Sequence, residues 1–210
     1  MLLESRMGEL LKKIARPIRG VWRRLKFIKE YLDFRRTSIE SRFTVRWIDR
    51  YPCLDDKTKN TGFDRHYIYH PAWAARIIAK TRPVKHVDFS STLNFSTMLS
   101  AFIPVDFYDY RPADVRLTDL TSLRANLTSL PFKDNSLESI SCMHVVEHIG
   151  LGRYGDPIDY DGDLKAMREL RRVLKSNGNL LFVVPVGKPK IMFNALEFIH
   201  MSRLLSIFQN

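Results

Sequence analysis

Cysteine is scarce. Cys53 and Cys142 are the only two in 210 residues, and they form no C-x-x-C pair. That spacing excludes a disulfide framework and a cysteine-built zinc site, and it leaves two buried thiols as the simplest reading. Long apolar runs are absent too. No stretch approaches the roughly 18 to 20 consecutive apolar residues of a membrane-spanning helix. The N-terminus has no compact apolar segment ahead of a small-residue cleavage site, so a cytoplasmic location is expected. With 45% hydrophobic content over 210 residues, the chain has room for one good core and an appended segment, but not for two full domains.

Negative charge is in short supply: 34 Lys and Arg face 23 Asp and Glu, a formal charge of +11. Residues 1–50 hold 14 basic against 6 acidic residues, so a surplus of eight sits in the first quarter. There Leu10, Leu11, Ile14, Ile18, Val21, Trp22, Leu25, Ile28 and Leu32 recur at spacings of three and four with basic residues between them. This is the pattern of a basic amphipathic helix, expected to break near Pro17 and Gly20. Such a helix packs on a core with a solvated basic face, or lies on an anionic membrane surface as a peripheral contact. No recognised nucleic-acid-binding motif accompanies it, so no nucleic-acid partner is expected.

Pro52, Asn60 and Gly62 mark turns, and a domain boundary is expected near Asn60. PAWAARIIAKTRP then reads as a helix with Pro71 at its first position and a stop before Pro83. From Lys85 onward, short apolar runs alternate with helical ones. Strands are expected in VKHVDFS, PVDFYDY, LTSLRANLTSLPF, SLESISCMHVV and NLLFVVPVG. Helices are expected in TLNFSTMLSAF and in DLKAMRELRRVLKSNG, the latter ending at Asn177-Gly178. This alternation implies parallel strands with right-handed crossovers, a Rossmann-like α/β sheet. Ligands of such sheets bind outside the carboxyl ends of the strands, at the switch point beside the first. The loop after Asp88, the acid ending the second strand, the loop after the third and the segment after Met143 are therefore the places to look.

His144, Glu147 and His148 form H-x-x-E-H, also the spacing of an inverted zinc-protease motif. A zinc site needs both histidines on one face of a helix, whereas here the motif directly follows a strand. No metal is expected. The alternatives are that Glu147 and His148 act in substrate contact or proton transfer, or that they only hold the following loop. In GLGRYGDPIDYDGD, the D-x-D-x-D run lacks the distal glutamate of a calcium loop. Asp161 or Asp163 is expected to cap the next helix.

The segments HVDFSSTLNFS, VDFYDYRP, ANLTSLPFKDNSLESISCMHVVEHIGLGRYGDPIDYDGDL, ELRRVLKSNGNLLFVVPVGKP and MFNA together resemble a bacterial family of largely uncharacterised proteins. That family is related to class I S-adenosylmethionine-dependent methyltransferases. The resemblance covers roughly residues 60 to 195, with GLGRYGDPID its most distinctive stretch. It implies a mostly parallel methyltransferase sheet of seven strands with S-adenosyl-L-methionine as cofactor. It also implies methyl transfer to an oxygen or nitrogen of a small-molecule or sugar acceptor, with surface polysaccharide synthesis as one setting. Carried onto this chain, Asp88, Ser90 and Ser91 would pass the methionine part of the cofactor and Asp109 would accept from the ribose hydroxyls. Asn126 and Leu127 would meet the adenine, and His144 would stand where the fourth strand meets the cofactor. Glu147 or His148 would remove the acceptor's proton, while Arg153 and Tyr154 would orient an acidic or sugar-like substrate.

Two departures stand out. The first loop, DFSSTLNFS, has no glycine where such enzymes are glycine-rich, and Asn126 replaces a commoner aspartate. A non-catalytic methyltransferase-like binding protein, or an inactive truncated fragment, is the alternative reading.

The resembling family continues past MFNA with a segment like HRIYSY. Deleting one base from suitable codons for Ala-His-Arg-Ile-Tyr-Ser-Tyr yields Ala-Leu-Glu-Phe-Ile-His-Met, which matches Ala195 to Met201. The expectation is an extension over 1–60, a Rossmann-like domain over 61–195 lacking its last two strands, and an out-of-frame tail over 196–210. A short amphipathic helix is the alternative for that tail.

Overall fold

The structure, a computed structural model, describes residues 2–37 and 43–208. It divides into two units, Met1–Phe63 and Asp64–Asn210. In the first, helix α1 (Leu2–Arg36) runs unbroken through Pro17 and Gly20. The missing proline N–H costs one helical bond but does not end the helix here. Trp47, in a short turn, packs edge-on against Tyr31 with ring centroids 4.9 Å apart. Cys53 is exposed and only Cys142 is buried, so one of the two expected buried thiols lies at the surface.

The second unit opens with α2 (Arg65–Thr81), which starts six residues before Pro71. The Asp64 carboxylate caps it, accepting from the amides of His66 and Tyr67 at 2.9 and 3.2 Å. This cap outweighs the proline signal, because Pro71 gives up one backbone donor while Asp64 satisfies two that the first turn leaves orphaned. Three residues of consequence, His66, Tyr67 and His70, are thereby brought into the helix.

The sheet that follows is wholly parallel. Its strands are β1 (His86–Phe89), β2 (Val105–Asp109), β3 (Leu120–Arg124), β4 (Leu137–Met143) and β5 (Leu174–Val183), in the order β3-β2-β1-β4-β5. That order places the reversal of winding between β1 and β4, as in a Rossmann-like fold. Helix α3 (Leu93–Leu99) follows β1, and α4 (Gly162–Val173) precedes β5. Phe89, Ile140, Cys142, Met167 and Leu170 centre one apolar cluster, and Phe95, Leu99, Val105 and Phe107 centre another.

α4 ends at Val173, earlier than Asn177-Gly178 would suggest. Those two residues lie inside β5, where Asn177 is left-handed (φ 64°) and the pairing with β4 shifts register. They mark a bulge rather than a helix stop. Asp161 occupies the position before α4 but makes no capping bond through its side chain.

After β5 come β6 (Lys190–Met192) and β7 (Leu196–Phe198), paired antiparallel, and α5 (Met201–Phe208). Ile199 and Leu204 are buried in the first cluster, and the rings of Phe182 and Phe208 are 5.2 Å apart. The residues after Ala195 thus pack into the same core as the sheet.

Candidate functional site

The carboxyl ends of β1 to β4 converge on a crevice lined by Ser90, Tyr110, Ala125, Asn126, Leu127, Ile149 and Tyr154. Its polar groups are arranged by turns. Asp109 ends β2 immediately before the lining residue Tyr110, and its Oδ1 accepts the amide of Arg111 at 2.7 Å. Asn126 Oδ1 accepts from the amide and hydroxyl of Thr128 at 3.0 and 2.9 Å, which leaves its NH2 group to donate. Leu127 is buried beneath. Ser90 adopts the left-handed conformation (φ 56°) that glycine usually supplies, held by its amide to Tyr108 O at 2.8 Å. Ser91 is buried, and its hydroxyl oxygen accepts the amide of Met143 at 3.1 Å, tying the first loop to β4.

Asp88 does not reach this crevice. It is fully buried, accepting a hydrogen bond from Ser141 at 2.5 Å and another from Ser96. Burial raises its carboxyl to about 6 against the pull of those serine bonds. His86, two residues earlier on the same face of β1, bonds Ser139 through Nδ1 at 2.8 Å and Ser141 through Nε2 at 2.9 Å. Ser141 has one hydroxyl proton and gives it to Asp88, so Nε2 of His86 is the donor toward Ser141 and Nδ1 accepts from Ser139. Burial lowers this histidine to about 4, keeping it neutral. The result is a closed polar chain, Ser139-His86-Ser141-Asp88-Ser96, which ties β1, β4 and α3 together.

The second polar group stands at the end of β4. His144 is left-handed (φ 59°), a strained conformation for a side chain of this size. Its Nδ1 lies 3.0 Å from Glu147 Oε1. Three rings from the first turns of α2 surround it: His70 at 5.0 Å, Tyr67 at 5.6 Å and His66 at 5.9 Å between centroids. His144 Nε2, Glu147 Oε2 and both ring nitrogens of His70 are buried without a hydrogen-bond partner. Burial, with His144 adding repulsion, lowers His70 below the ordinary histidine range. His66 and His70 are one helical turn apart, a spacing visible in the sequence but hidden while Pro71 was read as the helix start.

His148 is placed differently. Its Nδ1 is 2.6 Å from Ala195 O, and the edge of Tyr154 meets its ring at 5.9 Å. The Arg111 and Arg153 guanidinium groups stack on the Tyr154 ring at 4.7 and 5.0 Å, and Arg153 also donates to Ala195 O at 3.2 Å. Tyr154 thus forms one crevice wall, while Arg153 and His148 hold the chain near Ala195.

The loop from Gly150 to Asp159 folds over the crevice. Asp156 accepts from the amides of Gly150 and Tyr154 at 2.9 and 3.1 Å. Gly150 has φ 86°, and a Cβ there would lie 2.0 Å from Asp159 O. Only glycine permits that closure. The cavity left beneath is about 60 Å³, small beside the roughly 300 to 1,000 Å³ of ligand pockets.

Asp163 and Glu197 are a further buried carboxylate pair. Burial raises both, Glu197 to about 7 with Asp163 beside it. Asp159 pairs with Lys165 at 2.5 Å instead of joining a calcium loop. Among the described residues no group of three or more His, Cys, Asp or Glu is placed to hold a metal ion.

Residues 116–209 match the family described as Caenorhabditis protein of unknown function, DUF268. The chain is 36% identical over 80 residues to the uncharacterized protein MJ0638 of Methanocaldococcus jannaschii, a match covering 36% of this chain and 30% of that relative. Among solved structures, the YcgJ protein of Bacillus subtilis superposes with a TM-score of 0.49 at 17% identity, covering 66% of this chain and 67% of its own. The 1,6-didemethyltoxoflavin-N1-methyltransferase of Burkholderia thailandensis superposes with a TM-score of 0.45 at 11% identity, covering 90% and 75%. That enzyme was solved with 1,6-didemethyltoxoflavin and S-adenosylhomocysteine bound.

Proposed function

We propose that this chain is an S-adenosylmethionine-dependent methyltransferase acting on a hydroxyl or amine acceptor. The observation that supports this most is the crevice at the β1/β4 switch point, where an acid ends β2 and an amide follows β3. The donor set suits a nucleoside. Asp109 can accept from vicinal ribose hydroxyls, the Asn126 amide can donate to a purine edge, and Leu127 gives an apolar floor. The space does not yet suit one. Loop 150–159 must lift for a ligand of that size to enter, and Gly152 and Gly155 (φ 68° and 80°) give it room to change shape.

When bound, the cofactor would supply a methyl group carried on a sulfonium. The protein's own task is then to align an acceptor and remove its proton. His144 suits the second part better than His148. Glu147 fixes the His144 proton on Nδ1, which leaves Nε2 as a bare base in a dry site. Glu147 therefore orients the base instead of serving as one, and His148 anchors the chain at Ala195. His66, Tyr67 and His70 form the wall against which an acceptor would rest. Met143, hydrogen-bonded to Ser91, carries this dyad to the first-strand loop.

Calorimetry with S-adenosylhomocysteine is the first test. Binding is expected, with Asp109→Ala weakening it about tenfold or more; no detectable affinity for the wild-type chain sinks the reading. Transfer of labelled methyl to a panel of phenols, sugars and amines tests the base. His144→Gln should lower the rate about a hundredfold or more and flatten its pH profile, with cofactor affinity kept. An unchanged rate would remove His144 from the role.

A further inference from the structure

The first unit presents a surface that the methyltransferase reading does not use. Along α1, Val21, Leu25, Ile28 and Leu32 follow one another at spacings of four, three and four, and they are 55%, 60%, 39% and 44% exposed. At about 100° per residue they form a single stripe. The segment that packs on α1 within this unit takes the opposite side. Trp47 meets Phe27 and Tyr31, Asp55 pairs with Arg23, and Lys57 pairs with Glu30. Among the described residues, the stretch of this unit that covers the helix therefore leaves the apolar stripe bare.

Charge decides what the stripe fits. α1 holds eleven Lys and Arg against four Asp and Glu, a surplus of seven. A second copy of the helix would suit the three-and-four spacing. However, Arg24 and Lys29 flank the stripe, and pairing would set like charges against each other across the seam. An anionic lipid surface meets both properties at once: it takes the aliphatic stripe into the acyl boundary and the basic flanks into its headgroups. Trp22 fits the same level. It is 62% exposed about a quarter-turn from the stripe, beside the groove that residues 51–58 form with α1, and the Lys26 ammonium sits 5.3 Å over its ring. An amphipathic ring beside long basic stems is the arrangement found at membrane interfaces.

We propose that α1 docks the chain in the plane of an anionic membrane, stripe inward, with Trp22 at the headgroup level. Among the described residues no helix is long and apolar enough to cross a membrane, so the contact is peripheral. It rests on unit one alone and stands whether or not the crevice binds a cofactor.

Flotation of the full chain with vesicles tests it. Binding to vesicles with about 30% phosphatidylglycerol should exceed binding to pure phosphatidylcholine about tenfold or more, and should fall as salt rises. The double variant Leu25→Glu, Ile28→Glu should lose that binding and keep its thermal melting transition, since both side chains face solvent. Arg24→Glu with Lys29→Glu should weaken it. Equal binding to both vesicle types, no binding, or binding unchanged in Leu25→Glu, Ile28→Glu would overturn the proposal. A lipid-free dimer in sedimentation, lost in that same double variant and accompanied by no vesicle binding, would assign the stripe to a second copy and overturn it too.

Discussion

Two buried polar clusters lie in the second unit, one on β1 and β4 and one at the end of β4, and they are built on opposite principles. In the first, Ser139, His86, Ser141, Asp88 and Ser96 pass hydrogen bonds along a line, and none of their side-chain polar atoms is left buried without a partner. In the second, His70, His144 and Glu147 bury four ring or carboxylate atoms with no partner at all. A satisfied network rigidifies the fold, whereas an unsatisfied one costs stability and persists where a ligand will complete it. The left-handed backbone at His144 adds strain of the kind stored at functional sites. The contrast makes the first cluster structural and is what supports the proposed role of the second.

Breaking the closed cluster should have the larger effect. Ser141→Val strands Asp88 Oδ1 and His86 Nε2 in a dry interior, and should lower unfolding free energy by about 3 kcal/mol in a urea titration. A loss below about 0.5 kcal/mol would show that the serine bridge is not holding the network.

The open cluster should respond in the opposite direction. His70→Leu removes two orphaned nitrogens and should stabilise the protein by about 1 kcal/mol. Its pH dependence carries a sign. The pKa of His70 is lowered in the folded state, so as pH falls below the ordinary value of about 6.5 the unfolded chain takes up a proton that the folded chain resists. His70 therefore costs more stability at acid pH, and the gain from His70→Leu should be greater at about pH 5 than at about pH 8. His86 follows the same sign down to about 4, and Asp88 opposes it. The Asp88 carboxyl is raised to about 6, so the folded state holds its proton between roughly pH 4 and 6 and loses stability as pH rises through that range. Melting curves of wild type and His70→Leu across this range separate the two contributions, because only the His70 part disappears in the variant.

Much of the architecture was legible. Alternating apolar runs and helical segments gave five parallel strands, and the switch-point rule pointed to the loops after the first and third strands and the segment after Met143, which line the crevice. The resemblance placed Asp88 in the cofactor site, yet alternation on a strand sends neighbours to opposite faces, and its side chain turns inward to Ser96 and Ser141. His66 and His70 were missed for a nearer reason: Pro71 looked like a helix start, and the cap at Asp64 proved stronger. The Asn177-Gly178 pair misled in the same way, since a bulge and a helix stop call for the same residues.

The sequence by itself determined the local terms: the period of each segment, the apolar stripe and basic flanks of α1, the glycines that let loop 150–159 close, and the acid at the end of β2. Only the tertiary structure decided which polar groups meet. Ser141 lies 53 residues from Asp88, and His144 lies 74 residues from His70 in sequence number. Such contacts depend on the pairing of β4 with β1 and the packing of α2 beside them. Whether a buried histidine is satisfied or orphaned is a property of that pairing and is not present in any stretch of the chain read alone.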